Sequence, residues 1–191
     1  EEMDAMENYQ EVKIGIDALL MAVNQENGLG KLKQDLTKEE VRRIFSGEQS
    51  LWSEVSGDLP EEEIVLLVRD VGGGAHGVFQ DVIMEDEDVT EKAIEVPSMS
   101  GLVERLIGNE GAIGYASFGV AEQYRDDLVA FSIDGIEPSE ENIISGDYPL
   151  SRPLNLVWDG EASTEMQVFI DYIESEAGRE IIAEMGFLPM E

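Results

Sequence analysis

The chain has 191 residues, 42% of them hydrophobic, which is enough for a buried core and too apolar for intrinsic disorder over most of its length. With 43 acidic against 12 basic residues, a formal net charge of −31, it repels nucleic acid, whose binding needs lysine and arginine on phosphates. The absence of cysteine and the single histidine, His76, exclude disulfides, thiolate metal sites and HExxH zinc chemistry, and no apolar run reaches the ~18–20 residues that span a bilayer.

Residues 12–17 alternate apolar and polar side chains and residues 18–23 are continuously apolar. This predicts a strand that passes from a half-exposed to a fully buried position. A polar loop is predicted over 24–36. Thr37-Lys38-Glu39-Glu40 then spells a capping box, with Leu36 and Val41 placed as a hydrophobic staple, so a helix is predicted to about Ser46 and its stop at Gly47. Residues 48–63 read as a loop holding Trp52, and 64–68 as a buried strand. After the glycines that follow it, Val78, Phe79, Val82 and Ile83 keep helical spacing. Beyond the polar stretch 85–92, a strand is predicted near 94–96, a helix near 101–107 and a strand near 112–115. In the last third, 128–133 and 155–158 read as strands. Met166, Phe169, Ile170 and Ile173 form one helical stripe, and Ile181, Ile182 and Met185 another, bounded by Ser175 and Gly186. The mixture predicts an α/β class with a sheet covered by helices. Acidic residues are spread along the chain, which suits adaptation to high salt or an ordinary acidic secreted protein.

The segment with chemical potential is Arg69-Asp70-Val71-Gly72-Gly73-Gly74-Ala75-His76-Gly77, between a predicted strand and a predicted helix. Such a turn aims several unpaired backbone N–H groups at one spot with the positive end of a helix dipole behind them, and glycines let an oxyanion approach closely. Arg69 at the strand's end can add a forked, charge-assisted contact. The alternative is a tight structural turn in which Arg69 pairs with a carboxylate. His76 is placed either to donate to the anion or as a surface histidine. Gly72-x-Gly74-x-x-Gly77 also matches a dinucleotide fingerprint, but without the second strand and its closing acid the match is weak. The acidic run 85–88 lacks the ligand alternation of a calcium loop and reads as solvated charge.

In their order, residues 14–24 (IGIDALLMAVN), 36–57 with the tail IFSGEQSLWSEVSG, 64–79 around the glycines, 111–115 (GAIGY), 133–154 (IDGIEPSEENIISGDYPLSRPL) and 169–189 resemble the phosphate-binding proteins of ABC phosphate importers. The resemblance implies a type II periplasmic-binding-protein fold, two lobes with mixed sheets flanked by helices, the N-terminal part of the first lobe being absent, and closure on an anion by hinge motion. Residues 1–13 would end the first lobe's opening segment, 14–115 would form the second lobe, and 116–191 would return to the first. Residues 1–10 carry no leader signature, so a leader was removed or the chain begins partway through a longer protein.

The function so implied is non-enzymatic. The resemblance implies an extracytoplasmic monomer, without cofactor, that would capture inorganic phosphate or a similar oxyanion for the permease subunits of an ABC importer. Arg69 stands where the family has its ligand arginine, and Gly72 and Gly74 match the glycines of its Gly-Ser-Gly-Thr turn. Gly73 and Ala75 stand where the family places serine and threonine hydroxyls, and His76 replaces a polar or basic residue. Losing two neutral hydrogen bonds at ~1 kcal/mol each implies one to two orders of magnitude in affinity. The alternative is a degenerate relative, a sensor or interaction domain that binds no phosphate.

Overall fold

The computed structural model describes residues 8–70 and 72–190. The part of the expected opening segment over residues 1–7 lies outside the described residues.

The first element, β1 (Tyr9–Asn24), is a single 16-residue strand, half-exposed over its first six residues and buried from Gly15 onward. Where it is buried, Leu19, Met21 and Val23 enter one core and Leu20 and Ala22 the other, the period-2 alternation of a strand covered on both faces. The loop expected next contains a one-turn helix, α1 (Gly28–Leu32), capped by Asn27, whose Oδ1 accepts the Leu29 N–H at 2.8 Å. Five residues are too few for a helical period to be legible.

After β2 (Asp35–Leu36) comes α2 (Lys38–Phe45) with its capping box intact. Thr37 Oγ1 accepts the Glu40 N–H at 3.1 Å and Glu40 Oε2 accepts the Thr37 N–H at 2.8 Å. Leu36 and Val41, the predicted staple, are fully buried, and Gly47 ends the helix at φ 84°. A second short helix, α3 (Trp52–Val55), occupies the loop expected over 48–63; it buries Trp52, whose indole N–H donates to Gly111 O at 3.2 Å.

The strand β3 (Val65–Arg69) leads through the glycines to α4 (Gly74–Phe79), which continues directly as a π turn over Gln80–Met84, so that the helical run is eleven residues long. Phe79, Ile83 and Met84 are buried on the face shared with α2, where Phe79 meets Phe45 edge-on at 4.8 Å. Glu85, first of the acidic run, pairs with Arg42 at 2.9 Å. Beyond it lie β4 (Ile94–Val96), α5 (Met99–Ile107) and β5 (Ala112–Ser117). The sheet order is β4-β3-β5-β1, with β3 parallel to both neighbours and β1 antiparallel to β5. α2 and α4 cover one face, and Leu102, Val103 and Leu106 of α5 the other.

Following α6 (Phe118–Gln123), the strand expected over 128–133 is broken into β6 (Leu128–Ala130), beside β1, and β7 (Ser132–Ile133), parallel to β2. The break falls at Phe131, whose N–H still reaches Met21 O while that of Ser132 turns to Gln34 O. Together with α7 (Glu140–Ser145), Tyr148 and Leu150, this segment shares the core of residues 19–117.

The predicted strand at 155–158 is the inner part of a longer one, β8 (Ser151–Asp159), which pairs antiparallel with the outer half of β1 from Tyr9–Asp159 to Ala18–Ser151. Then come α8 (Thr164–Glu174), α9 (Glu176–Glu184) and β9 (Leu188–Pro189), which joins the other edge of β1 at Gly15 and Ile16. Ser175 caps α9 as predicted, its side chain accepting the Gly178 N–H at 3.3 Å. The two apolar stripes are only partly buried. Ile170 is covered, but Phe169, Tyr172, Ile181 and Met185 are exposed, because no second layer of the described chain lies over them.

Candidate functional site

The glycine turn lies at the carboxyl end of β3, beside the corresponding ends of its parallel neighbours β4 and β5, which is the edge of an open α/β sheet where ligands are received. Its start is anchored from below. The Arg69 N–H donates to Tyr115 Oη at 2.9 Å, and Tyr115 in turn stacks on Phe79 at 4.8 Å. Burial raises the Tyr115 phenol to about 12, so it remains protonated at neutral pH.

Gly72 has φ 102°, a conformation that side-chain-bearing residues rarely adopt, and this turns the chain into the helix. Gly73 is the N-cap residue of α4. Its N–H donates to Asp70 O at 3.1 Å and its carbonyl accepts the Gly77 N–H at 3.2 Å. The N–H of Gly73 is therefore engaged inside the turn. Among the described residues, the N–H groups of Gly74, Ala75 and His76 have no acceptor.

Arg69 pairs with a carboxylate, as the structural-turn reading has it, and its head group stays close to the turn. Its Nη2 lies 3.7 Å from where a Cβ on Gly73 would be, so the head group is at the turn. That head is also heavily engaged: Nε and Nη2 donate to Asp70 Oδ1 at 3.1 and 2.7 Å, Nε to Val96 O at 3.1 Å and Nη2 to Pro97 O at 3.1 Å. Hydrogen bonding from Arg69 holds the Asp70 carboxyl below the usual carboxylate range. His76 takes a different direction. Its ring lines a cavity of about 690 Å³ on the flank of α4 with Val68, Gln80, Asp88, Thr90 and Glu95, and its Nδ1 is buried without a hydrogen-bond partner.

A second arginine, with no part in the sequence-based site, completes the turn. Arg152 stands on β8 directly across from Asp17 on β1. Its guanidinium lies over the Cα of Gly74, where a Cβ would overlap its Nη2. Nε and Nη2 of Arg152 each contact Asp17 Oδ2 at 3.3 Å. Asp17 is 5% exposed, and burial raises its carboxyl above the ordinary value despite the arginine beside it. Two sequence signals pointed here: a lone acid inside the apolar run IGIDALLMAV, and one of only 12 basic residues within SRP.

A family profile described as a PBP superfamily domain matches residues 1–177. The phosphate-binding protein PstS of Bacillus subtilis (strain 168) is 29% identical over 188 residues, which is 97% of this chain and 58% of that protein. The protein of the same name from Staphylococcus haemolyticus (strain JCSC1435) is 29% identical over 171 residues, 87% of this chain and 52% of that one. The chain thus spans little more than half the length of these relatives. Among solved structures, an ABC-type phosphate transport receptor from Vibrio cholerae superposes with TM-score 0.79 at 25% identity, covering 100% of this chain and 76% of that one. PstS from Borrelia burgdorferi superposes with TM-score 0.74 at 26% identity, covering 96% and 73%. The expected α/β architecture, a mixed sheet flanked by helices, is that of these structures.

Proposed function

This chain belongs to the PBP superfamily, and from that premise we propose that it serves an ABC importer as an extracytoplasmic solute-binding protein, capturing inorganic phosphate or a similar oxyanion and passing it unchanged to permease subunits. The observation that carries this reading is the convergence of two guanidinium groups on one glycine turn in a chain of net charge −31. With so few cations, a pair of them beside three N–H groups that have no acceptor among the described residues supports a place where negative charge is stabilised. The curated relatives and structural neighbours named for phosphate support the choice of anion. Nothing in this role asks for bond-making chemistry, so we read the protein as a monomeric carrier and not an enzyme.

We place the lobe boundary later than residue 116. β3, β4, β5, β6 and the inner half of β1 make up one part of the main sheet, β8 pairs with the outer half of β1 as the second crossing strand, and we assign α8 and α9 to the other lobe.

Calorimetry on the protein at its natural length, in high salt, tests the reading. Saturable phosphate binding in the micromolar range or tighter is expected. No heat with either phosphate or sulfate rules it out in favour of a sensor or interaction role.

A further inference from the structure

The two arginines at the glycine turn differ in how they are held. Arg69 is locked by four contacts to a carboxylate and two carbonyls, and its side chain is 19% exposed. Arg152 has a single partner, Asp17, at 3.3 Å from both of its donating nitrogens. Charge-assisted contacts of this kind settle at about 2.7–2.9 Å. The Arg152 side chain is 41% exposed, and its Nη1 has no acceptor among the described residues.

Gly74 adds an independent observation. It is absent from the positive-φ glycines, so its backbone does not require glycine. A Cβ there would meet the guanidinium of Arg152, which would have to move aside, so the arginine and the turn share that space. An arginine present only to neutralise Asp17 would need no such seat on the neighbouring turn.

From these contacts we propose that Arg152 is a direct ligand of the oxyanion, leaving Asp17 for the anion when it arrives and supplying the donors that Gly73 and Ala75 lack. Arg69 then braces the turn beside it, and Asp17 is the internal carboxylate that occupies Arg152 in the anion-free protein. The assignment rests on the oxyanion reading of the turn. It adds to that reading a ligand from a crossing strand, so that anion contact and the β1–β8 ladder meet in one side chain.

The test is phosphate calorimetry on the natural-length protein and three variants, each checked for folding by circular dichroism. Arg152→Gln is expected to bind phosphate about 10- to 100-fold more weakly, the loss of one charge-assisted hydrogen bond. Gly74→Ala, which evicts the guanidinium without removing it, is expected to weaken binding in the same direction. Asp17→Asn is expected to tighten binding about 3- to 10-fold, because a competing negative charge beside the ligand arginine is gone. If Arg152→Gln binds like the unaltered protein, Arg152 is not a ligand, while the phosphate reading stands. Failure of the unaltered protein to bind phosphate sinks that reading and this assignment with it. Should Arg152→Gln not fold, Asp17→Asn decides: tightening supports the exchange, and unchanged or weakened binding overturns it, since a purely structural pair gives no gain.

Discussion

Gly119 on α6 donates its N–H to the carbonyl oxygen of Gly186 at 3.2 Å, and no side chain fits between the two backbones. A Cβ on Gly119 would meet the Gly186 Cα at 2.6 Å. This contact ties the helix after β5 to the turn between α9 and β9, so it joins the main sheet to the C-terminal helices. Gly119→Ala is expected to lose about 1–3 kcal/mol as the two segments are forced apart. Gly77→Ala is the contrasting case. It lies inside α4 with nothing within 4 Å of a new Cβ, and is expected to gain about 0.5–1 kcal/mol from helix propensity. Urea midpoints with an unchanged slope measure both.

Arg69 should matter for stability as well as for binding. It is the only described side chain that joins Asp70 to the carbonyls of Val96 and Pro97, linking the end of β3 to the end of β4. Arg69→Gln is expected to cost about 2–3 kcal/mol, read from the same urea titration. Lysine should not rescue it, because one ammonium cannot reproduce the forked contacts. A variant as stable as the original would show the brace to be dispensable.

Asp17 predicts a pH dependence with a definite sign. Burial raises its folded-state pKa above the ordinary 3.8, so the folded protein holds this proton more tightly than the unfolded chain does. Its contribution to stability is therefore most favourable below about 3.8 and declines as pH rises through the raised value. Asp17→Asn, which cannot ionise, should gain relative to the original across that window and level off above it. Paired unfolding titrations from pH 3.5 upward give the difference; a gap that narrows with rising pH would contradict the sign.

The charge imbalance predicts salt-dependent stability. At −31, self-repulsion opposes the compact state, and raising KCl from about 0.1 to 1 M shortens the screening length from ~10 to ~3 Å. Thermal unfolding should shift upward by at least ~2–4 °C, equivalent to about 1 kcal/mol for a chain of this size. A flat response would favour the ordinary acidic-protein reading over adaptation to salt.

Residues that act through their near neighbours were legible in the sequence. The capping box at Thr37 and Glu40, the staple of Leu36 and Val41, the stop at Gly47 and the buried run of β1 all follow from local periodicity and local hydrogen bonding, and each is found in place. The strand–glycine–helix order around Arg69 was legible for the same reason, and so was the ambiguity about that arginine, which turns out to be both at the turn and paired with a carboxylate.

Contacts between residues far apart in the chain were decided only by tertiary structure. That Arg152 reaches Gly74, 78 positions earlier, depends on the register of β8 against β1, and that Gly73 has already given its N–H to Asp70 depends on how the turn closes. The exposure of Phe169 and Met185 was equally hidden, because an apolar stripe names a face that wants a partner without saying whether one is there. Local pattern determined most of the elements and singled out the glycine turn. The packing of distant strands determined which cation stands over them, since a side chain's neighbours across a sheet are set by register and not by sequence distance.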